Sequence, residues 1–422
     1  MFGKYYWKLR DQAGRLYYRF GLPLKLKYRA RSVGKKGKIE VVFFAINLAM
    51  WRYQGIYELL SRDKRFSCHI VFTVPNTFTI DQQEADQKQM REYFTAKGID
   101  YVDYDVNDQL GYDVKGLINP DILFYQQPYE GMYPENHDFL LFRDKLLCYV
   151  PYGVYIVDND YQQYDLKFHS LAWKIYCPFK QYQDRARKVA KSHGWNWVAS
   201  GNDHLDKFLS PDTTDVWKIK DRSLKRLIWA PHFTMSKVSW IEPRSNFLWM
   251  SQLMLDLAEK NKDRLQIAFK PHPRLKSELY LLPDWGKEKT DRYYQRWESM
   301  ENTQLETGDF IDLFKTSDAM IHDSGSFTIE YLFVNKPVAF VTADFEALKS
   351  EHNDIGRASL DQHYVVHNEK EVLDFINQVV LENQDPMKKQ RTEFFQTALK
   401  PNVTGNTSEF IVSDIKKSLV LT

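Results

Sequence analysis

The 422-residue sequence has only three cysteines, Cys68, Cys148 and Cys177, each in an apolar stretch and with no paired spacing. That excludes a disulfide frame or a thiolate metal site and predicts buried thiols in a reducing compartment. No apolar run reaches the roughly 18 residues a membrane-crossing helix needs. The N-terminus lacks the apolar centre of a secretory signal. The expected location is therefore the cytoplasm. The net charge is only +2, so overall charge selects no partner. No internal repeat stands out, and no metal or cofactor is required.

What is present is a soluble, globular composition with 43% hydrophobic and 27% charged residues, long enough for two domains. Aromatic residues reach 15%, which suits cores as well as surfaces for sugars, nucleobases or membranes. Charge is uneven along the chain. About a dozen Lys and Arg lie between Lys4 and Lys38, against one acid, Asp11. Tyr, Trp and Phe are interleaved with them, and on a helix Tyr6, Leu9, Leu16 and Phe20 share a face. Such a segment either lies in a bilayer interface, cations near anionic lipid, or packs its aromatics on the protein body. No nucleic-acid motif accompanies it, so a nucleic-acid partner is not expected.

From Lys38 onward apolar runs alternate with helical patterns. "IEVVFFAI", "SCHIVFTV", "DILFYQ", "LLCYVPYG", "WKIYCPF" and "WNWVASG" read as strands, as do "RLIWAPHFT", "RLQIAFKPHPRL", "DAMIHDSGS" and "PVAFVTA". The pattern predicts an α/β chain with two Rossmann-like domains facing a central cleft, preceded by a basic, aromatic helical segment. The expected boundaries are 1–38, 39–214, 215–395 and 396–422, the last a helix crossing back to the first domain. Ligands of such sheets bind beyond the strands' carboxyl ends, which directs attention to the turns there.

In "HDSGSFTIEYLFV", Asp323, Ser324, Gly325 and Ser326 separate a strand from a helix pattern. Free N–H groups at a helix start and a glycine allowing close approach make an anion seat. Plain capping by Asp323, Ser324 or Ser326 accounts for the same residues. In "FKPHPRLK", Lys270, His272 and Arg274 sit in a turn stiffened by two prolines, a composition suited to phosphate. Further strand-end turns carry His232 and Thr234 ("WAPHFT"), Gly201 and Asn202 ("ASGNDHLDKF"), and Tyr152 and Gly153 ("YVPYGV").

In this order, "SGNDHLD", "APHFT", "KPHPRL", "DSGSFTIEYLFVNKPVAF" and "NTSEFIVSDI" resemble the CDP-glycerol glycerophosphotransferase family, which includes teichoic acid primases and polymerases. The resemblance implies a GT-B fold. It implies transfer of a glycerol-phosphate or related polyol-phosphate group from a CDP-activated donor to a glycan or lipid-linked acceptor in teichoic-acid-like or capsule synthesis, peripheral to the membrane. His272 matches the family's His-Pro histidine, which binds donor phosphate and acts in catalysis. Ser324 and Ser326 match its donor-phosphate residues, and Glu330 the acidic position facing the donor ribose. His232 is the expected auxiliary group near the acceptor. One departure stands out: where family polymerases carry His-Gly in the first domain, a proposed base, this chain has Tyr152-Gly153. A neutral phenol is a poor base near pH 7. Two alternatives follow: a GT-B glycosyltransferase using a CMP- or UDP-sugar, and a nucleotide-binding scaffold without turnover.

Overall fold

The computed structural model describes residues 14–77, 80–105, 110–235, 244–325, 327–403 and 405–421. The chain divides into two compact units, one formed by 1–154, 159–206 and 402–422, the other by 155–158 and 207–401.

The first unit is built on a seven-stranded sheet with the order β3-β2-β1-β4-β5-β6-β7. Its strands are β1 (Ile39–Ala45), β2 (Phe66–Phe72), β3 (Tyr101–Val102), β4 (Ile122–Tyr125), β5 (Leu146–Tyr149), β6 (Lys174–Cys177) and β7 (Trp197–Ala199). All pairings are parallel. Parallel strands are covered on both faces, so β1, β4 and β5 are nearly continuous apolar runs with their side chains buried. The thiols of Cys148 and Cys177 are buried as expected, whereas Cys68 is only half-buried; all three are free.

The N-terminal helix Leu22–Val33 packs Leu22, Leu26, Ala30 and Val33 into this core. Asp121, buried at the start of β4, fixes it through Lys36 at 2.6 Å and Arg29 at 3.7 Å. Trp195 donates from Nε1 to the carbonyl of Tyr18 at 3.0 Å, tying down the turn before the helix. Tyr6 and Leu9, assigned to the same face from the sequence, lie outside the described residues.

The C-terminal helix Thr407–Ser418 also belongs to this unit and packs Ile411, Val412 and Ile415 into its core. Asp206 holds its entry by accepting the N–H groups of Gly405 at 3.1 Å and Thr407 at 2.8 Å. Asp203 accepts from the Ser408 hydroxyl at 3.0 Å.

The second unit carries a six-stranded parallel sheet with the order β10-β9-β8-β11-β12-β13. Its strands are β8 (Lys225–Ala230), β9 (Leu265–Phe269), β10 (Thr303–Leu305), β11 (Ala319–His322), β12 (Val338–Val341) and β13 (Tyr364–Val366). Much of the chain's aromatic content is core here. Trp229 stacks between Phe247 (centroids 5.7 Å apart) and Phe269 (5.0 Å), and Phe269 stacks in turn on Trp297 (5.1 Å). Trp229 and Phe269 end β8 and β9, so this rigid aromatic layer supports the turns that follow. The segment 155–158 joins the same unit. Val157 forms an antiparallel bridge with His352, and Asn353 donates to the Ile156 carbonyl at 2.8 Å.

Candidate functional site

The order of the second sheet reverses between β8 and β11, which run side by side although two strands intervene in sequence. At such a switch point the connections leave in opposite directions and open a crevice beyond the strand ends. The turns after β9, β8 and β11 therefore adjoin one another. They carry Lys270–Arg274, Pro231–Thr234 and Asp323–Gly325.

The β9 turn is bonded to β8: Lys270 N–H reaches the Trp229 carbonyl at 2.8 Å and His272 N–H the Pro231 carbonyl at 3.0 Å. The His272 and His232 rings meet edge to face with centroids 5.1 Å apart, and each lies 4.4 Å from the Phe233 ring. The Arg274 guanidinium covers Phe233 at 4.3 Å and pairs with Glu278 at 2.6 Å. On the other side of β8, the main-chain N–H of His232 donates to Asp323 at 2.6 Å. His232 thus links the turn of His272 to the turn of Asp323.

Both rings have defined tautomers. His272 Nδ1 accepts the Arg274 N–H at 3.2 Å, and His232 Nδ1 lies 2.8 Å from the Thr234 hydroxyl and 3.4 Å from the Thr234 N–H. An Nδ1 that accepts leaves the ring proton on Nε2. Each imidazole therefore presents an N–H donor away from its own turn. Burial first, then His232, Arg274 and Lys270, pushes His272 down to about 3. Burial first, then Arg244 and Arg274, pushes His232 down to about 4. Both are neutral donors at pH 7 in the free protein.

The remaining expectations meet different outcomes. Lys270 is buried with its ammonium donating to the Gly308 carbonyl at 2.9 Å, so it braces the loop after β10 instead of reaching outward. Among the described residues no N–H downstream of Asp323 donates to it. Its carboxylate takes the N–H groups of His232 and of Asn246 (2.5 Å), the residue preceding the helix Phe247–Lys260. Ser324 N–H points back to His322 Nδ1 at 3.2 Å. The expected helix after it is one short α-helical turn, Phe327–Glu330, continuing as a 3-10 turn, Tyr331–Val334. Glu330 is buried there, and Ser326 lies outside the described residues. Among the described residues, a Cβ at Gly325 would meet only Ile156 Cδ1, at 3.6 Å, so none of them demands glycine at that position.

Tyr152, Gly153, Gly201 and Asn202 belong to the first unit. Gly201 has φ +87°, and a Cβ there would come within 2.6 Å of the Thr407 hydroxyl oxygen. Asn202 caps the helix Asp203–Leu209 by accepting from His204 N–H at 2.9 Å. Gly201 therefore packs against the entry of the C-terminal helix, and Asn202 caps the helix that carries Asp203 and Asp206. The Tyr152 phenol, raised above its ordinary value by desolvation, is no better a base than the sequence suggests, and its carbonyl accepts from Arg52 at 3.0 Å. The first sheet's own switch point, between β1 and β4, is closed by Gln126, whose side chain bonds Ile46 N–H and the Asn47 carbonyl. Sequence reasoning missed Gln126 and Asn246. The signal for Asn246 was its place immediately before a long amphipathic helix.

The model of the CDP-glycerol:poly(glycerophosphate) glycerophosphotransferase family matches residues 219–417, a stretch that contains all three turns. Over that stretch, just under half of the chain, it is similar to this family. The match indicates a CDP-glycerol glycerophosphotransferase-like enzyme, with residues 1–218 outside it. No curated protein sequence matches the chain. Among solved structures, the wall teichoic acid polymerase TagF, in a variant soaked with CDPG, is similar over 100% of this chain and 98% of its own, at 12% identity and TM-score 0.56. UDP-GlcNAc 2-epimerase from Neisseria meningitidis, bound to UDP-GlcNAc, is similar over 90% of this chain and 100% of its own, at 14% identity and TM-score 0.54. S. aureus MnaA, in a structure with UDP, is similar over 92% and 98%, at 16% identity and TM-score 0.55. At these identities the likeness establishes the GT-B-like fold of this chain and leaves its chemistry to the site.

Proposed function

We propose that the protein transfers a glycerol-phosphate, or related polyol-phosphate, group from a CDP-activated donor to a hydroxyl of a glycan or lipid-linked acceptor in the synthesis of a teichoic-acid-like polymer. The acceptor oxygen bonds to the donor's β-phosphorus, the bond from that phosphorus to the bridging oxygen breaks, and CMP departs with the bonding electrons. The acceptor proton is released to solvent or to a group of the acceptor side. Phosphoryl transfer asks chiefly for positioning and charge neutralisation. The observation that carries the reading is the meeting of two neutral Nε2–H imidazoles, His272 and His232, with the Arg274 cation at the sheet's switch point. In this reading His272 donates a hydrogen bond to the donor's phosphates and so stabilises the charge that builds on the departing CMP, while Gly325 leaves room for the diphosphate. Incubation with CDP-glycerol and measurement of CMP release tests it. Stabilisation by UDP in preference to CDP, with no CMP release, would instead favour a nucleotide-sugar enzyme. Preferential CDP binding without release of CMP to any acceptor would favour a scaffold.

The same reading places the protein on an anionic membrane surface, where a lipid-linked acceptor is met. Its support is a second apolar stripe on the N-terminal helical segment, opposite the packed face: Leu16, Phe20, Leu24 and Tyr28 are 60%, 55%, 70% and 78% exposed. Exposed Arg19, Lys25, Lys27, Arg31 and Lys35 flank it, and residues 14–38 contain no acid. Each cation near such a surface contributes about 1 kcal/mol and each inserted Leu or Phe about 1.5–3 kcal/mol at full burial. No helix among the described residues is long and apolar enough to cross a membrane.

A further inference from the structure

We propose that Asp323 is a positioning residue, whose carboxylate holds the β8 turn so that the His232 ring abuts His272; this role rests on the transfer reaction proposed above. A buried carboxylate is costly unless it is paired or well hydrogen-bonded. Asp323 is 3% exposed and forms no ion pair among the described residues. Among the described residues it is held by N–H groups alone: one oxygen accepts from His232 N at 2.6 Å, the other from Asn246 N at 2.5 Å and Asn246 Nδ2 at 3.2 Å. Asn246 opens the fourteen-residue helix Phe247–Lys260, whose N-terminal dipole favours the anion. The same Asn246 side chain donates to the Val341 carbonyl at the end of β12. One carboxylate therefore ties the turns after β8 and β11 to a long helix and to β12.

The consequence for the site is directional. His232 has its main-chain N–H on Asp323 and its ring against His272, so the carboxylate sets where the ring stands. Desolvation raises Asp323 to about 6, against the lowering effect of its N–H bonds. The titratable and charged groups around it are His322 in its own turn, His232 and His272 across β8 and β9, Arg274 beside them, and Arg244 before the helix. His232 and His272 protonate only near 4 and 3. The folded carboxylate is ionised above about 6 and gains a proton below it. The acid then turns an acceptor into an O–H donor facing N–H donors, and the hold on His232 is lost as pH falls.

The test uses the full chain labelled with ¹⁵N- and ¹³C-histidine, the His232 resonance assigned by its loss in His232→Gln. In the wild type the His232 ring signal is expected to shift through a step near pH 6, above its own titration. In Asp323→Asn that step is expected to vanish. With CDP-glycerol, Asp323→Asn is expected to lower kcat about 10- to 100-fold, the loss of a charge-assisted hydrogen bond, with KM changed less than about twofold. It is also expected to remove the fall in wild-type kcat below pH 6. A His232 signal without a step near pH 6 in the wild type overturns the proposal, whether or not the variant folds. So does Asp323→Asn with the wild-type kcat and pH profile. Absence of CMP release from the wild type would refute the reaction alone, since the histidine titration judges Asp323 without turnover.

Discussion

Replacing His272 tests the site most directly. Its ring rests on Phe233 at 4.4 Å and meets His232 at 5.1 Å, and its Nδ1 is occupied by Arg274 N–H, so Nε2–H is the donating end. Near pH 7 that donor is uncharged. A hydrogen bond from it to a phosphate anion contributes about 1.5–3 kcal/mol, or roughly 10- to 150-fold in kcat/KM. The same bond tightens as charge builds on the departing CMP, so part of the loss falls on kcat. His272→Ala removes the donor. His272→Gln keeps an N–H near the Nε2 position, so it should recover most of the loss. Steady-state CMP release over a range of CDP-glycerol concentrations measures both variants, with thermal unfolding of each as the check on folding. If His272→Ala retains kcat/KM within about threefold of wild type, that bond does not exist and the assignment of His272 fails.

Acid should weaken the second unit. Burial depresses His232, His272, His322, His352 and His363 below the ordinary imidazole value. The unfolded chain therefore takes up more protons as pH falls from about 6.5 toward 4, each group costing at most about 1.4 kcal/mol per pH unit. Asp323, raised to about 6, acts in the opposite sense between about 4 and 6 but is one group against five. Calorimetry should show the transition of this unit falling between pH 7 and pH 5; an unchanged or higher transition would contradict the burial of these imidazoles. Gly201→Ala should destabilise the first unit by roughly 2–4 kcal/mol, from left-handed strain and overpacking. Hydrogen exchange should locate the loss in residues 407–418, and unaltered protection there would disprove the anchorage. Leu24→Asp with Tyr28→Asp should abolish flotation with phosphatidylserine vesicles while leaving CMP release to a soluble acceptor intact; retained flotation would rule out the stripe.

The sheet interiors were legible because a strand covered on both faces must be apolar throughout, as in Val41–Ala45 or Leu227–Ala230. Three strands left no such trace: Tyr101–Val102, Thr303–Leu305 and Tyr364–Val366. All three lie at sheet edges, where two or three residues suffice and one flank is open. The helix expected after Ser326 had the right period but not the length, because Tyr331–Val334 tightens into a 3-10 turn before Asn335 in the left-handed region. At the site, the His-Pro turn declared itself through its two prolines. The contact between His232 and His272 did not, since it depends on β9 and β11 flanking β8, a matter of strand order. The duties of Lys270 and Asp206 were invisible for a related reason: their partners lie 38 residues away at Gly308 and 201 residues away at Thr407.

That Thr407–Ser418 returns to the unit containing β1 has a bearing on how the molecule is made. During synthesis the ribosome delivers the whole second sheet before the piece that Asp206 and Asp203 are waiting to hold. The later unit is free to reach its native state while the earlier one is still missing a wall. Loss of the last twenty or so residues would therefore be felt in the first sheet, some two hundred positions upstream, and leave the histidine pair's own scaffold standing.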